Sequence, residues 1–241
     1  MPIILAIETS SELASCALLN SAAGAGAPVL TRESSGVRTH SQSVLPMVQA
    51  LLLEAGVTLA DCDAIAFGAG PGSFTGVRTA CGVAQGLAFG AKKPVLPLVT
   101  LEAMAEACLA RTGATEVLAV LDARMGEVYW AQYRWDGAWQ AVREPALCLP
   151  GAVAPEAVAG LVACGNGFAA YPEAFAGQAF AAGAHADILP HAREFALLGV
   201  AALAAGRAVP ADAAQPLYLR NKVAYTSAER QAINAAKADA R

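Results

Sequence analysis

Histidine is almost missing from this chain: its 241 residues include only His40, His185 and His191. They form no His-x-x-x-His pair and join no Cys/His cluster, which excludes zinc and iron sites of the common kinds. Clustered positive charge is also lacking. The formal net charge is −4 and no run of Lys and Arg offsets it, so the chain alone is not expected to grip nucleic acid. Long apolar runs are absent too. The longest strongly apolar stretch, Phe195 to Gly206, has 12 residues, against the ~18–20 that a bilayer span requires. Met1 to Glu8 shows neither a basic start nor a cleavage pattern. A soluble, cytoplasmic protein with no membrane association is the expectation. The six cysteines are scattered without a Cys-x-x-Cys pair and read as reduced core residues.

The familiar catalytic patterns fail as well. No lysine follows the glycines at 68–76, so there is no P-loop. Ser73 stands where the third glycine of a Gly-x-Gly-x-x-Gly would fall, and Pro71 occupies the place of a nucleophile-elbow glycine. His40 precedes a helix, where a solvent or capping role fits better than catalysis. Asp122, Arg124 and Glu127 make a compact charged turn, which suits a functional triplet and a solvated hairpin equally.

What is present is a loop. Gly68-Ala-Gly-Pro-Gly-Ser-Phe-Thr-Gly-Val-Arg78 follows a short apolar run, Ala64 to Phe67, and opens a helix expected to reach Phe89. Gly68, Gly70, Pro71, Gly72 and Gly76 demand a fixed turn and close backbone approach, with Ser73 or Thr75 as the helix cap. Two functions compete for such a loop: an anion cradle at a helix N-terminus, or a structural pivot bringing its helix close to a neighbour. Arg78 either binds an anion or pairs locally.

Before the loop, Ile3–Ile7, Ser15–Leu19 and Val29–Glu33 read as strands of an antiparallel meander, with a flexible loop over Ser21–Pro28. Thr9 and Ser10 in the first turn are candidates for holding phosphate. Across 41–55, Val44, Met47, Val48, Leu51, Leu52 and Ala55 keep helical spacing, and Leu45 and Leu53 widen the apolar surface beyond one stripe. Pro46 is expected near that helix's start. The helix after the loop carries Gly82, Gly86 and Gly90 every four residues, beside Ala80, Ala84 and Ala88. Glycine costs a helix roughly 1 kcal/mol at each position, so packing against something must compensate.

Strands are then expected at Val95–Val99, Val117–Leu121, Val128–Tyr133, around 146–149 and at Leu161–Cys164. Helices are expected at 101–111, 155–160 and 193–205. The order, three strands, helix, strand, helix, occurs twice in outline. It points to an α/β chain of two ribonuclease-H-like halves, each a mixed sheet with flanking helices and a cleft between them. The halves are placed at 1–108 and 109–225, with the helix at 193–205 a candidate to pack back on the first. A polar tail follows over 226–241. Gly165-Asn166-Gly167 is a second candidate nucleotide contact, through Gly165 and Gly167.

The glycine loop, Ile7-Glu-Thr-Ser10, Asp122-Ala-Arg-Met-Gly-Glu-Val-Tyr129, His40-Ser-Gln-Ser-Val-Leu-Pro46 and Gln215-Pro-Leu-Tyr-Leu-Arg-Asn221 together resemble the bacterial TsaB (YeaZ) family, over nearly the whole chain to residue 225. The resemblance implies the actin-like ATPase (ASKHA) fold. It further implies a non-catalytic role in forming threonylcarbamoyladenosine at position 37 of tRNAs reading codons that begin with A. In that family TsaB is a relative of the transferase TsaD, binds and stabilises it as a heterodimer, and helps recruit the ATPase TsaE. A homodimer imitates the same contact in isolation, tRNA is reached only through the complex, and ATP or ADP is a candidate ligand at the TsaD junction. TsaD's metal-binding histidines fall here on Thr100 and Met104, which argues against a glycoprotease-like metallopeptidase. A stand-alone actin-like ATPase or kinase is the other alternative. The resemblance implies no catalytic residue, no metal and no cofactor held firmly by this chain. It carries the TsaD contact onto the two apolar helices, with Val44, Met47, Val48, Leu51, Ala80, Ala84 and Leu87 in that contact or in the core immediately behind it, and an arginine at Ala84 is expected to block docking while leaving the fold measurable by thermal melting. Two positions depart from the family: Glu8 stands where Asp is common, and Met125 where Arg is frequent.

Overall fold

A computed structural model describes residues 2–20, 28–34 and 40–220. Most of the loop expected over Ser21–Pro28, residues 21–27, lies outside the described residues, as does the tail expected over 226–241. Two sheets form the frame. The first contains β1 (Ile3–Glu8), β2 (Ala14–Asn20), β3 (Leu30–Ser34), β4 (Ala64–Gly70) and β5 (Val95–Val99), in the order β3-β2-β1-β4-β5. β1 to β3 are the expected antiparallel meander, while β4 and β5 join in parallel. The second sheet contains β6 (Glu116–Asp122), β7 (Val128–Trp135), β8 (Trp139–Cys148) and β9 (Leu161–Cys164), in the order β8-β7-β6-β9.

The strand period of two explains the layers. In β1, Leu5 and Ile7 face one way, into a core shared with α1 (His40–Ala55) and α2 (Phe74–Ala91). Ile4 and Ala6 face the other way, toward α6 (Ala192–Ala204). β4 divides in the same manner, with Ile65 and Phe67 toward α1 and α2 and Ala64 and Ala66 toward α6. Both faces of this sheet are covered, so β1 and β4 read as continuous apolar runs. In the second sheet, Val117, Ala119 and Leu121 pack against α3 (Thr100–Thr112). Leu118 and Val120 pack against Phe168 of α4 (Gly167–Ala170) and Phe175 of α5 (Pro172–Phe175).

Three local expectations need correction. β8 starts at Trp139, seven residues before the expected 146, because a tight hairpin sets Trp135 opposite Trp139. Its polar residues, among them Gln140, Arg143 and Glu144, suit an edge strand and hide the alternation. No helix forms over 155–160; a single 3₁₀ turn, Pro150–Ala152, precedes extended chain. α1 begins at His40, so Pro46 lies inside it rather than at its start and cannot donate to the carbonyl of Gln42. The second half therefore lacks the long helix of the first, and its last helix, α6, covers the first sheet. A division at residue 108 falls within α3.

Candidate functional site

The glycine loop ties α2 to the end of β1. Ser73 N–H donates to the carbonyl of Ser10 at 2.8 Å, and the Ser73 hydroxyl caps α2 by accepting from Gly76 N–H. Thr9 sends its hydroxyl to the carbonyl of Gly76 at 2.6 Å. A methyl at Gly76 would overlap the Thr9 carbonyl, and one at Gly72 would meet Ser10. Gly70 adopts φ +117°, and a Cβ there would lie 2.8 Å from the carbonyl of Leu217. Among the loop residues singled out in the sequence, Gly68, Gly70, Gly72 and Gly76 share this close approach, with Pro71 buried between them.

Beneath the loop lies Glu8, completely buried at the end of β1. Its carboxyl fills the space that a side chain at Gly68 would need and rests toward Phe195 of α6. Oε1 accepts from Ser10 N–H, while Oε2 and the Ser10 hydroxyl make no hydrogen bond of ordinary geometry. Burial pushes the Glu8 carboxyl up to about 7, partly offset by the adjacent Ser10.

The two apolar helices each carry an inner and an outer face. Val44, Met47, Val48, Leu51, Ala80 and Ala84 all lie in the core against the first sheet, and Leu87 is half-buried at its margin. The outer face holds Leu45, Leu53 and Phe89, exposed by 51%, 82% and 80%. A groove of about 410 Å³ runs between the helices, lined by Leu45, Val48, Leu52, Leu53, Val57 and Leu87 among others. Gly82, Gly86 and Gly90 are exposed on α2, and a methyl at any of them would meet nothing within 4 Å. Nothing among the described residues compensates these helical glycines. The expected arginine at Ala84 is corrected by this geometry: Ala84 is fully buried, so the change would disrupt the core. Leu45 and Leu53 were legible as surplus apolar residues and Phe89 only as the expected end of its helix, and spacing alone does not say which of two apolar stripes faces outward.

Between the sheets lies a cleft of about 300 Å³, lined by Ser10, Ser73, Asp122, Arg124, Asn166, Tyr218 and Arg220, among others. Its second wall is the turn after β6, where Arg124 and Met125 both take left-handed backbone, φ 60° and 58°. Arg220 donates to the carbonyl of Arg124 at 3.2 Å and to Glu127 at 2.6 Å, holding the turn from beneath. Tyr171 donates to Asp122 at 2.9 Å, Asp122 N–H donates to the Asn166 side chain at 2.9 Å, and Arg124 pairs with Glu12 across the cleft. Of the nucleotide candidates, Ser10 faces this cleft. The Thr9 hydroxyl is committed to Gly76, and Gly165 and Gly167 press against Val120 of β6. Thr100 and Met104 are both fully buried in α3. Among the described residues, no group of three or more His, Cys, Asp or Glu side chains is arranged for a metal. None of the described helices is long and apolar enough to cross a membrane.

Comparison with known proteins adds four findings. Residues 30–237 match the family model described as TsaD, tRNA N6-adenosine threonylcarbamoyltransferase. The tRNA threonylcarbamoyladenosine biosynthesis protein TsaB of Escherichia coli (strain K12) is 40% identical over 228 residues, covering 92% of this chain and 96% of the relative. Its namesake in Haemophilus influenzae is 47% identical over 129 residues, covering 54% and 52%. The solved structure of YeaZ from Pseudomonas aeruginosa superposes with a TM-score of 0.82 at 41% identity, covering 91% of this chain and all of that one. The two mixed sheets with flanking helices are thus the actin-like ATPase fold.

Proposed function

The chain belongs to the TsaB (YeaZ) family, and from that membership we propose that it is a non-catalytic subunit in threonylcarbamoyladenosine formation at position 37 of tRNAs reading codons that begin with A. In this reading it binds and stabilises TsaD through the outer face of α1 and α2, helps recruit the ATPase TsaE, and meets tRNA in the cytoplasm only within that complex. The observation that carries the reading is the outer face itself. Leu45, Leu53 and Phe89 are exposed beside a line of glycines that nothing among the described residues fills. Exposed apolar side chains beside a row of Cβ-less positions let a second helix pair approach closely, which is the steric logic of small-residue helix contacts. Val44, Met47, Val48, Leu51, Ala80 and Ala84 serve as the core behind this contact, and Leu87 borders it. A second copy of the chain can use the same face in isolation.

Absence of catalysis draws support from the two positions aligned with TsaD's histidines. Thr100 and Met104 are sealed inside α3, and a hydroxyl and a thioether are poor substitutes for imidazoles on iron or zinc. Size-exclusion chromatography with TsaD from the same organism tests the reading. Wild type should co-elute, and a variant carrying Leu53→Glu and Phe89→Glu should elute apart while melting normally. Co-elution of that variant would defeat the assignment of the face.

One observation favours a second reading. Ser10 lines the cleft near the N-terminus of α2, whose first-turn N–H groups favour an anion, although its own hydroxyl is buried beside Glu8. A nucleotide bound there, or ATP or ADP at the TsaD junction, would appear in calorimetry of the chain alone or of the complex.

A further inference from the structure

The line of small residues on α2 leads to a charge. Counting back by fours from Gly90 gives Gly86, Gly82, Arg78 and Phe74, all exposed; each step turns about 40° round the helix, so the row winds and Arg78 stands next to Gly82 and about 80° from Gly86. Arg78 is the only charged residue of α2. Its guanidinium lies 3.6 Å from the Phe74 ring centroid and 5.5 Å from that of Tyr218, and Nε donates to the Tyr218 hydroxyl at 2.8 Å. The two rings sit 5.9 Å apart. Tyr218 is 140 residues away in sequence, so tertiary structure builds this clamp. Among the described residues no carboxylate comes within ion-pair distance of Arg78, and its other guanidinium N–H groups find no acceptor.

An arginine on a surface normally gains little from a partner because ordering its long side chain offsets the attraction. Here the stack on Phe74 and the bond to Tyr218 have already ordered it, and no carboxylate among the described residues matches the charge of the planar fork. We propose that Arg78 is the charged anchor of the docking face, receiving a carboxylate side chain of the partner through two parallel N–H···O bonds as the partner settles against Gly82 and Gly86. This rests on the docking reading above and names the chemistry the partner must present at one end of the stripe. A protein carboxylate is favoured because the anchor continues a line shaped for close approach of a helix.

Calorimetric titration of the full chain against TsaD tests it with three variants. Arg78→Met keeps the stack on Phe74 and removes the fork; it should weaken binding by about 10–100-fold and flatten the salt dependence. Arg78→Lys keeps the charge without the fork and should fall between the two. Gly86→Arg should abolish binding. Arg78→Met binding as tightly as wild type, with Gly86→Arg inactive, would overturn the anchor and leave the docking face standing. Wild-type binding by Gly86→Arg would overturn the face itself. Full recovery with Arg78→Lys would overturn the forked geometry. Melting curves should leave Arg78→Met near wild type, since the side chain is exposed.

Discussion

Replacing Gly82 and Gly86 together with alanine should make this chain more stable and a worse partner. Both glycines lie inside α2, and an added methyl meets nothing within 4 Å. The intrahelical gain is then unopposed, at about 1 kcal/mol per position and about 2 kcal/mol for the pair. For a chain of this size, 1 kcal/mol moves the melting temperature by about 2–4 °C, so the double variant should melt about 4–8 °C higher. Binding should move the opposite way, because two methyls stand where a partner backbone would come closest. A loss of tenfold or more in affinity for TsaD, about 1.4 kcal/mol, is expected. Scanning fluorimetry and calorimetric titration read the two effects. Melting should be followed at two protein concentrations, since a homodimer through the same face would make it concentration-dependent. A lower melting temperature at both concentrations would mean the glycines are packed within this chain. A higher one with unchanged affinity would mean the stripe contacts no partner.

Other perturbations probe the frame. Gly76→Ala should destabilise strongly, by about 3 kcal/mol or more, because its methyl would overlap the backbone carbonyl of Thr9; denaturant unfolding reads it, and a near-neutral result would refute the pivot. Glu8, fully buried, titrates near 7 in the folded chain against an ordinary value of 4.5. The folded state therefore keeps a proton that the unfolded state has lost, and stability should fall as pH rises from about 4.5 to about 7, approaching a cost of about 3 kcal/mol above that window. Glu8→Gln should remove that slope and raise stability at pH 8; an unchanged slope in urea titrations would show that another group carries it. Ala84→Arg should fail to fold, seen as lost cooperative melting, because Ala84 is fully enclosed. Ellman's reagent should label the native protein quickly at no more than Cys148, since the other five cysteines are buried and burial lifts the Cys16 thiol to about 12.

Much of the first half could be seen in the sequence because its signals are local. The Ser73 cap, the glycine loop and the apolar strands each act within a few residues, and the meander, β4, α2 and β5 follow. The surplus of apolar residues on α1 was legible too, but its division into inner and outer stripes depends on where the sheet lies. The second half was harder. β8 is an edge strand with polar residues on both faces, so alternation could not mark its start, and its position follows from pairing with β7. The cleft's long-range pairs have no local signature. Glu12 and Arg124 are 112 residues apart, and Arg78 and Tyr218 are 140 apart. Glu8 illustrates the same limit, since a carboxylate ending a strand beside a Thr-Ser turn reads as exposed until α6 is seen to close over it.

Hydrogen–deuterium exchange of the chain with and without TsaD tests the central claim most directly, because it maps the contact without any substitution. Slowed exchange is predicted across residues 40–55 and 74–91, strongest around Gly82–Gly90, with residues 139–148 of β8 unchanged. Protection confined to other segments, with α1 and α2 exchanging as they do in the free chain, would contradict the assignment of the docking face.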